Sequence, residues 1–480
     1  MELSELADEA RGRRAVDAVL TPSARAAIAA GAETLEAAAA VQAVYGLTTG
    51  VGALRDVEVD DRASQGLRLL RSHAAAFGPE LSDEETRATM LVRLHQLAAG
   101  STGVTPALAE SLERAVVAGA IPLLRGHGSV GTGDLTVLAQ LALALAGEGE
   151  WRGTGRPPAS VRVRSSEALP FISSNAMTAA LGALAQVDLA GLLRASERVA
   201  ALSFLALRGS PEAYDARVFA RRADPHAAAA ADRMTALVRG AAPPARVQDP
   251  FALRTVPQVH GVAAAALESA REALVAEIDA PAENPYPLAE RGAVLHHGGF
   301  LTQRLAAAFD AVRESWVAVA TLVQARLAAL VDPRLTGLPA FLSDGAPGSS
   351  GLMILEYVAG DLAADIRLRT MPAALGRTTI SIGLEETASH STHSVRVARE
   401  LAARLPDLLA CELLAATRAL RLAPERLPTA GGAAELGRAA LDGLAQSGGT
   451  TLEDHVLGEE LRAAADLVAS VAAEGTSSRW

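Results

Sequence analysis

Apolar residues recur at steps of three and four along much of the chain. Leu301, Leu305, Phe309, Val312, Trp316, Val319, Val323, Leu327 and Leu330 fall on one stripe of a helix, which Asp332-Pro333 ends. Val397, Leu401, Leu405 and Leu408 make a second stripe. Gln186 to Leu207 gives a third, interrupted by Asp188, Arg194, Glu197 and Arg198, and residues 262–278 give a fourth. Alternation at period two is scarce: Val161-Arg162-Val163-Arg164 is the clearest candidate strand, and it is short. No strand–helix alternation recurs, which argues against a parallel sheet. The pattern predicts an all-α protein dominated by a long-helix bundle, in which small Ala side chains let helices approach closely.

Punctuation falls at the glycine-rich stretch Gly119 to Gly133, at Gly153 to Ala159 and at Gly240 to Pro250. Two domains are expected, 1–180 and 181–480, with a polar tail from Gly475 that frays.

Composition narrows the chemistry. Half of the 480 residues are hydrophobic but only 3% are aromatic, so the core is built from Ala, Leu and Val. The net charge of −11 argues against a nucleic-acid binder or a partner for anionic membranes. All 44 positive residues are Arg. Without lysine there is no Schiff-base or pyridoxal-phosphate anchor and no Walker A lysine. Cys411 is the single cysteine, which excludes an internal disulfide and a thiolate metal cluster. The acidic start and the lack of a long uncharged apolar run predict a soluble cytoplasmic protein.

Four local patterns invite chemistry. Gly126-His127-Gly128-Ser129-Val130-Gly131 fits the dinucleotide fingerprint, but Pro122 in the preceding apolar run and the absence of further βαβ units argue against it. Glu386, His390 and His393 would share one helix face and could hold a metal; a polar helix face explains them equally, and no metal is assigned. His296-His297 is a weaker candidate, since adjacent side chains diverge. Val44 to Gly52 is a glycine-rich loop carrying Tyr45, a residue type that can serve as a movable acid or base.

The order of the pieces adds to this. Tyr45 and its loop precede Leu70-Arg71-Ser72-His73-Ala74-Ala75. Then come Gly128-Ser129-Val130-Gly131-Thr132-Gly133-Asp134-Leu135, Val247-Gln248-Asp249-Pro250-Phe251-Ala252-Leu253-Arg254 with Pro257-Gln258-Val259, and Ser350-Gly351-Leu352-Met353-Ile354. From about residue 40 to 425 the chain resembles the aromatic amino acid ammonia-lyases, a family that includes histidine and phenylalanine ammonia-lyases and related aminomutases. The resemblance implies a helical homotetramer with active sites shared between subunits. It also implies a methylidene-imidazolone electrophile made from an internal Ala-Ser-Gly, a loop Tyr that removes the β-proton, and an Arg that binds the substrate carboxylate.

The same alignment exposes departures. Gly131-Thr132-Gly133 stands where the family has Ala-Ser-Gly, and the flanking motif is one residue short. Dehydrated Thr would leave a methyl group on the reacting carbon, and a deletion beside a tight loop opposes the geometry that cyclisation needs. Ser173 takes the place of an Asn that would face the ring, Phe251 that of a second Tyr, and Gly299, before Phe300, that of another Asn. Tyr45, His73, Gln248, Arg254 and Glu385 keep their family positions. The resemblance therefore implies Tyr45 and Glu385 as catalytic residues and His73, Arg254, Gln248, Ser173, Phe251 and Phe300 as substrate contacts. No cofactor is expected.

Three readings follow. The first is a ring-free lyase, isomerase or addition enzyme of specialised metabolism, acting on a small carboxylate-bearing substrate. The second is an authentic ammonia-lyase or aminomutase with a methylated ring from Gly131-Thr132-Gly133. The third is a non-catalytic binding or regulatory protein that uses the old pocket.

Overall fold

In the computed structural model, residues 1–446 and 451–475 are described; the tail expected to fray lies outside them beyond residue 475. The chain is mostly helical, and the longest helices are Ala176–Leu207, Val256–Ile278, Gln303–Val331 and Ser391–Leu422. Three short antiparallel strand pairs accompany them: Phe77–Glu80 with Arg125–His127, Ile121–Pro122 with Trp151–Arg152, and Tyr286–Leu288 with Ala293–Leu295. Val161–Arg164 is not a strand. Without a partner strand its ends are held elsewhere: Val161 N donates to Leu145 O at 3.0 Å and Arg164 N to Glu167 Oε2 at 2.6 Å.

The residues group into two compact units. One contains Met1–Ala185, Ala270–Asp310 and Pro372–Arg399; the other contains Gln186–Ser269, Ala311–Met371 and the chain from Glu400. The first change of unit, at 185/186, lies near the expected division, but two later segments rejoin the first unit. Four of the divisions fall inside the long helices, where a helical pattern carries no sign of a boundary.

The predicted stripe on Gln303–Val331 is a core face from Leu305 onward, with Phe309, Val312, Trp316, Val319, Val323, Leu327 and Leu330 also buried; Leu301 lies before the helix and is half-buried. Two stretches, Ser165–Leu207 and Gln303–Val331, are long and apolar enough to cross a membrane by length and composition, yet 94% and 61% of their apolar windows are buried inside the protein.

Within the second unit, Glu412 ties three of the long helices. Its carboxylate accepts from Arg326 Nε at 2.6 Å, Arg326 Nη2 at 2.9 Å and Ser203 Oγ at 2.6 Å, with both charged side chains fully enclosed. A buried pair of this kind is costly to break from one side, because the remaining charge has no water to turn to. Cys411, next along the same helix, is buried, and burial pushes its thiol up to about 12.

Within the first unit, the capping box of Ser82 and Glu85 starts the Asp83–Ala98 helix. That helix carries Arg93, which bonds Glu283 Oε1 at 2.7 Å and the carbonyls of Phe171 and Pro170. Glu283 also accepts from Thr102 Oγ1 at 2.7 Å and Gly103 N at 3.1 Å. This pair pins the segment leading into the Tyr286–Leu295 hairpin, whose end delivers His296, His297 and Phe300.

Candidate active site

Tyr45 sits on a turn held from below and from both sides. Val44 and Leu47 are buried in a cluster with Leu35, Ala38, Ala39 and Val294. Thr48 Oγ1 accepts the Val44 N–H at 2.8 Å. Gly46, between them, has φ +73°, a conformation that side-chain-bearing residues avoid, and a Cβ there would overlap Leu169. The Tyr45 hydroxyl accepts the Gly52 N–H at 2.6 Å, and its ring meets His296 edge-on at 6.5 Å. The Tyr45 N–H donates to His296 Nε2 at 3.2 Å, which assigns the imidazole proton to Nδ1.

A base at this position needs a lowered phenol pKa. The first unit does the opposite: burial pushes Tyr45 up, the Gly52 N–H opposes this, and the charge of Glu385 adds to the rise. Burial also raises Glu385. The backbone of Glu385 pairs with Ile380, and between them Ser381 and Ile382 both have positive φ. Ile382 is a β-branched residue at φ +53° and 96% exposed, a strained placement that burial does not compensate. Ser381 Oγ accepts from Ala53 N at 2.9 Å, which joins this loop to the Tyr45 loop.

The Gly131-Thr132-Gly133 loop leaves the Arg125–His127 strand and enters the Leu135–Leu145 helix. Since that strand pairs antiparallel with Phe77–Glu80, the glycine fingerprint is not part of a βαβ unit. Asp134, at the N-cap of the following helix, gives its carboxylate to another helix. It accepts from Thr178 N at 2.8 Å and Thr178 Oγ1 at 2.9 Å, and so satisfies the first turn of Ala176–Leu207. Gly131 O accepts from Ser389 Oγ at 2.9 Å and lies 3.4 Å from both Thr302 N and Oγ1. Gly133 N donates to Asn175 Oδ1 at 3.0 Å. Thr132 is half-buried.

Other expected contacts of the first unit lie around these loops. His73 ends the Arg62–His73 helix, and its Nδ1 is 2.9 Å from the Leu69 carbonyl, which leaves Nε2 as an acceptor. Ser173 is buried and accepts the Asn284 N–H at 3.1 Å. Phe300 accepts from Asn175 Nδ2 through its carbonyl at 2.7 Å. In the second unit, Arg254 stacks on exposed Phe251 with its guanidinium carbon 4.4 Å from the ring centre. Its Nε is buried and without a partner, as is Gln258 Oε1. Gln248 is exposed on the preceding loop.

Comparison with known proteins decides the lineage. Residues 1–442 match the family model described as aromatic amino acid lyase. A histidine ammonia-lyase of Geobacillus thermodenitrificans is 35% identical over 407 residues, 80% of each chain. The chain belongs to the aromatic amino acid lyase family. Among solved structures of that fold, tyrosine aminomutase from Streptomyces globisporus superposes with a TM-score of 0.89 at 26% identity, covering 99% of this chain and 96% of the other. Ergothionase from Treponema denticola superposes with a TM-score of 0.90 over 98% and 97% of the two chains; at 22% identity it shares the fold.

Several residues of this lyase-family chain escape a reading of its sequence. Asn175, Glu277, Thr302, Ser389 and Ser391 all touch the two loops or their supports, and so does His296, which the sequence offers only as half of an adjacent pair. Glu277 sits 3.4 Å from Asn175 Nδ2, and burial pushes its carboxyl up to about 7. Its one sequence signal is an acid beside the buried Leu274 and Ile278. Glu386, His390 and His393 are spaced for one polar helix face. Instead the helix begins at Ser391, and His390, with φ +54°, lies in the preceding loop. Glu386 and His390 are therefore not on a helix with His393, and the shared face that a metal reading needs does not form.

Proposed function

We propose that this protein is a lyase-type enzyme that acts on a carboxylate-bearing substrate without a methylidene-imidazolone ring. The supporting observation is the neighbourhood of Gly131. A Cβ at that position, as the family's Ala would carry, overlaps Ser389 Oγ and comes within 2.7 Å of Ser391 Oγ and 2.9 Å of Ser391 N. With φ +82° and fully buried hydroxyls around it, Gly131 has no room for the ring's first residue. The residues present do not fit the group, so the chemistry is assigned to side chains alone.

In this reading Arg254 grips the substrate carboxylate in a bidentate pair, for which its unpartnered Nε and its ring-stacked plane suit it. Tyr45 exchanges a proton with the substrate. With its pKa raised, it starts as a proton donor and becomes a base only when the bound substrate brings a positive charge beside it. Glu385, also raised, shuttles or orients a proton, and His73 Nε2 reads the distal part of the substrate. Ammonia is a poor leaving group without an electrophile. Elimination of a better leaving group, isomerisation, or conjugate addition to an activated alkene fits these groups. Subunits of a homotetramer would complete the site, as the family resemblance implies.

The second reading, an authentic ammonia-lyase with a ring made from Thr132, draws support from the histidine ammonia-lyases among its relatives. Intact mass separates the two. Ring closure removes two waters, and the ring-free reading expects the full mass of the unmodified chain. Arg254→Ala should raise the dissociation constant of the carboxylate substrate about tenfold to a hundredfold, read by calorimetry. Unchanged affinity would remove Arg254 from the site.

A further inference from the structure

The contacts around residues 131–133 do more than leave the ring unmade. In the family's ring closure, the nitrogen of the third residue bonds to the carbonyl carbon of the first. The carbonyl oxygen leaves as one water and the Ser hydroxyl as another. The attacking N–H and the oxygen of the carbonyl it would attack are both held in place here, by residues that lie in the same unit. Gly133 N donates to Asn175 Oδ1. Asn175 cannot turn its amide over to release it. Its Nδ2 donates to Phe300 O at 2.7 Å and faces Glu277 Oε1 at 3.4 Å, so a flipped amide would set oxygen against oxygen and N–H against N–H. On the other side, Gly131 O rests on Ser389 Oγ and Thr302.

Those hydroxyls form a closed set. Thr302 Oγ1 lies 2.7 Å from Ser391 Oγ and 3.3 Å from Ser389 Oγ, and Ser389 Oγ lies 3.2 Å from Ser391 Oγ. Each residue is at most 4% exposed. Turning Ser389 Oγ away from a Cβ at Gly131 would break its bonds to Gly131 O, Thr302 and Ser391, and Ser391 N would still stand 2.9 Å from that Cβ, so the cradle opposes the substitution. Opening it would leave several buried polar groups unpaired.

We infer that Asn175, Thr302, Ser389 and Ser391 are positioning residues that hold 131–133 as an open peptide, so that restoring Ser at position 132 does not restore the ring. This rests on the ring-free reading above and extends it: the surroundings, and not Thr132 alone, exclude cyclisation. Residues 131–133 thereby become a fixed backbone element that displays the half-buried Thr132.

The test uses the full chain. Intact mass is measured for the unsubstituted protein, for Thr132→Ser and for Gly131→Ala/Thr132→Ser, with thermal melting to show that each is folded. All three are expected to keep their full masses. A Thr132→Ser protein short by two waters, beside an unsubstituted protein of full mass, overturns this inference and leaves the ring-free reading standing. An unsubstituted protein short by two waters overturns both. Two further measurements address the contacts themselves. In Asn175→Ala, hydrogen exchange of the Gly133 amide should quicken about tenfold or more; an unchanged rate overturns the role of Asn175. Gly131→Ala should lower the melting temperature further in the native background than beside Ser389→Gly, and equal losses overturn the cradle.

Discussion

The Tyr45 loop and the 131–133 loop belong to the same unit, and both turn on glycines with positive φ. They are held by different means. Beneath Tyr45 lies an apolar cushion, with Val44, Leu47 and Val294 enclosed and the phenol hydroxyl at the edge. Around Gly131 lie hydroxyls and a carboxamide, each bonded to the next. The first arrangement fixes a loop by shape and leaves its polar tip available to a substrate. The second ties Gly131 O and Gly133 N to buried side chains of the protein itself. Tyr45 keeps its family residue beside the cushion, whereas Gly131 and Thr132 depart from the family within the polar cradle. A loop pinned through its backbone supports structure, whereas a loop with a hydroxyl at its edge supports chemistry.

Four substitutions sharpen or break that contrast. Tyr45→Phe removes only the hydroxyl, and turnover of the substrate should fall about a thousandfold while binding is kept; full activity would end the division between a chemical loop and a structural one. Gly46→Ala tests the cushion. It imposes a strained φ and a clash with Leu169, so urea denaturation should show a loss of about 2 kcal/mol or more.

Glu277 probes the polar side through pH. Its folded pKa of about 7 exceeds the ordinary 4.5. Its contribution therefore favours the fold fully below about 4.5 and is lost as pH rises through 7. Glu277→Gln keeps the neutral form throughout. It should match the native protein near pH 5 and exceed it near pH 8 by on the order of 1–3 kcal/mol, read by denaturation at the two values. A gain that appears equally at both values would show that the carboxyl does not titrate in this range. Thr132→Ala should change stability by only about 0.5 kcal/mol and leave turnover intact, since the cradle binds the backbone of this loop. A folded but inactive variant would revive the ring-forming reading.

The legible part of this molecule was whatever repeats with a period. The stripe from Leu305 to Leu330 needs only a count of threes and fours, and its burial follows. The order of the loop motifs was legible because the chain must present them in sequence. Unit boundaries at 269/270 or 310/311 were not, because a helix continues across them without a change of pattern. The cradle was equally hidden. Asn175, Thr302 and Ser389 are far apart in the chain, and each is an ordinary polar residue until folding brings it to Gly131. His296 looked weak as half of an adjacent pair, since nothing local reveals that its Nε2 faces the Tyr45 amide.

The solitary thiol of Cys411 gives the second unit a clock of its own. A sulfhydryl fully enclosed, with its ionisation pushed to about 12, does not react with an alkylating reagent while its surroundings are closed. Labelling therefore counts opening events around one helix, in a chain that carries no second cysteine to blur the signal. Apart from Arg254→Ala, the substitutions discussed above lie in the first unit. A variant that melts early yet alkylates Cys411 at the native rate has loosened locally; one that speeds both has weakened the protein as a whole.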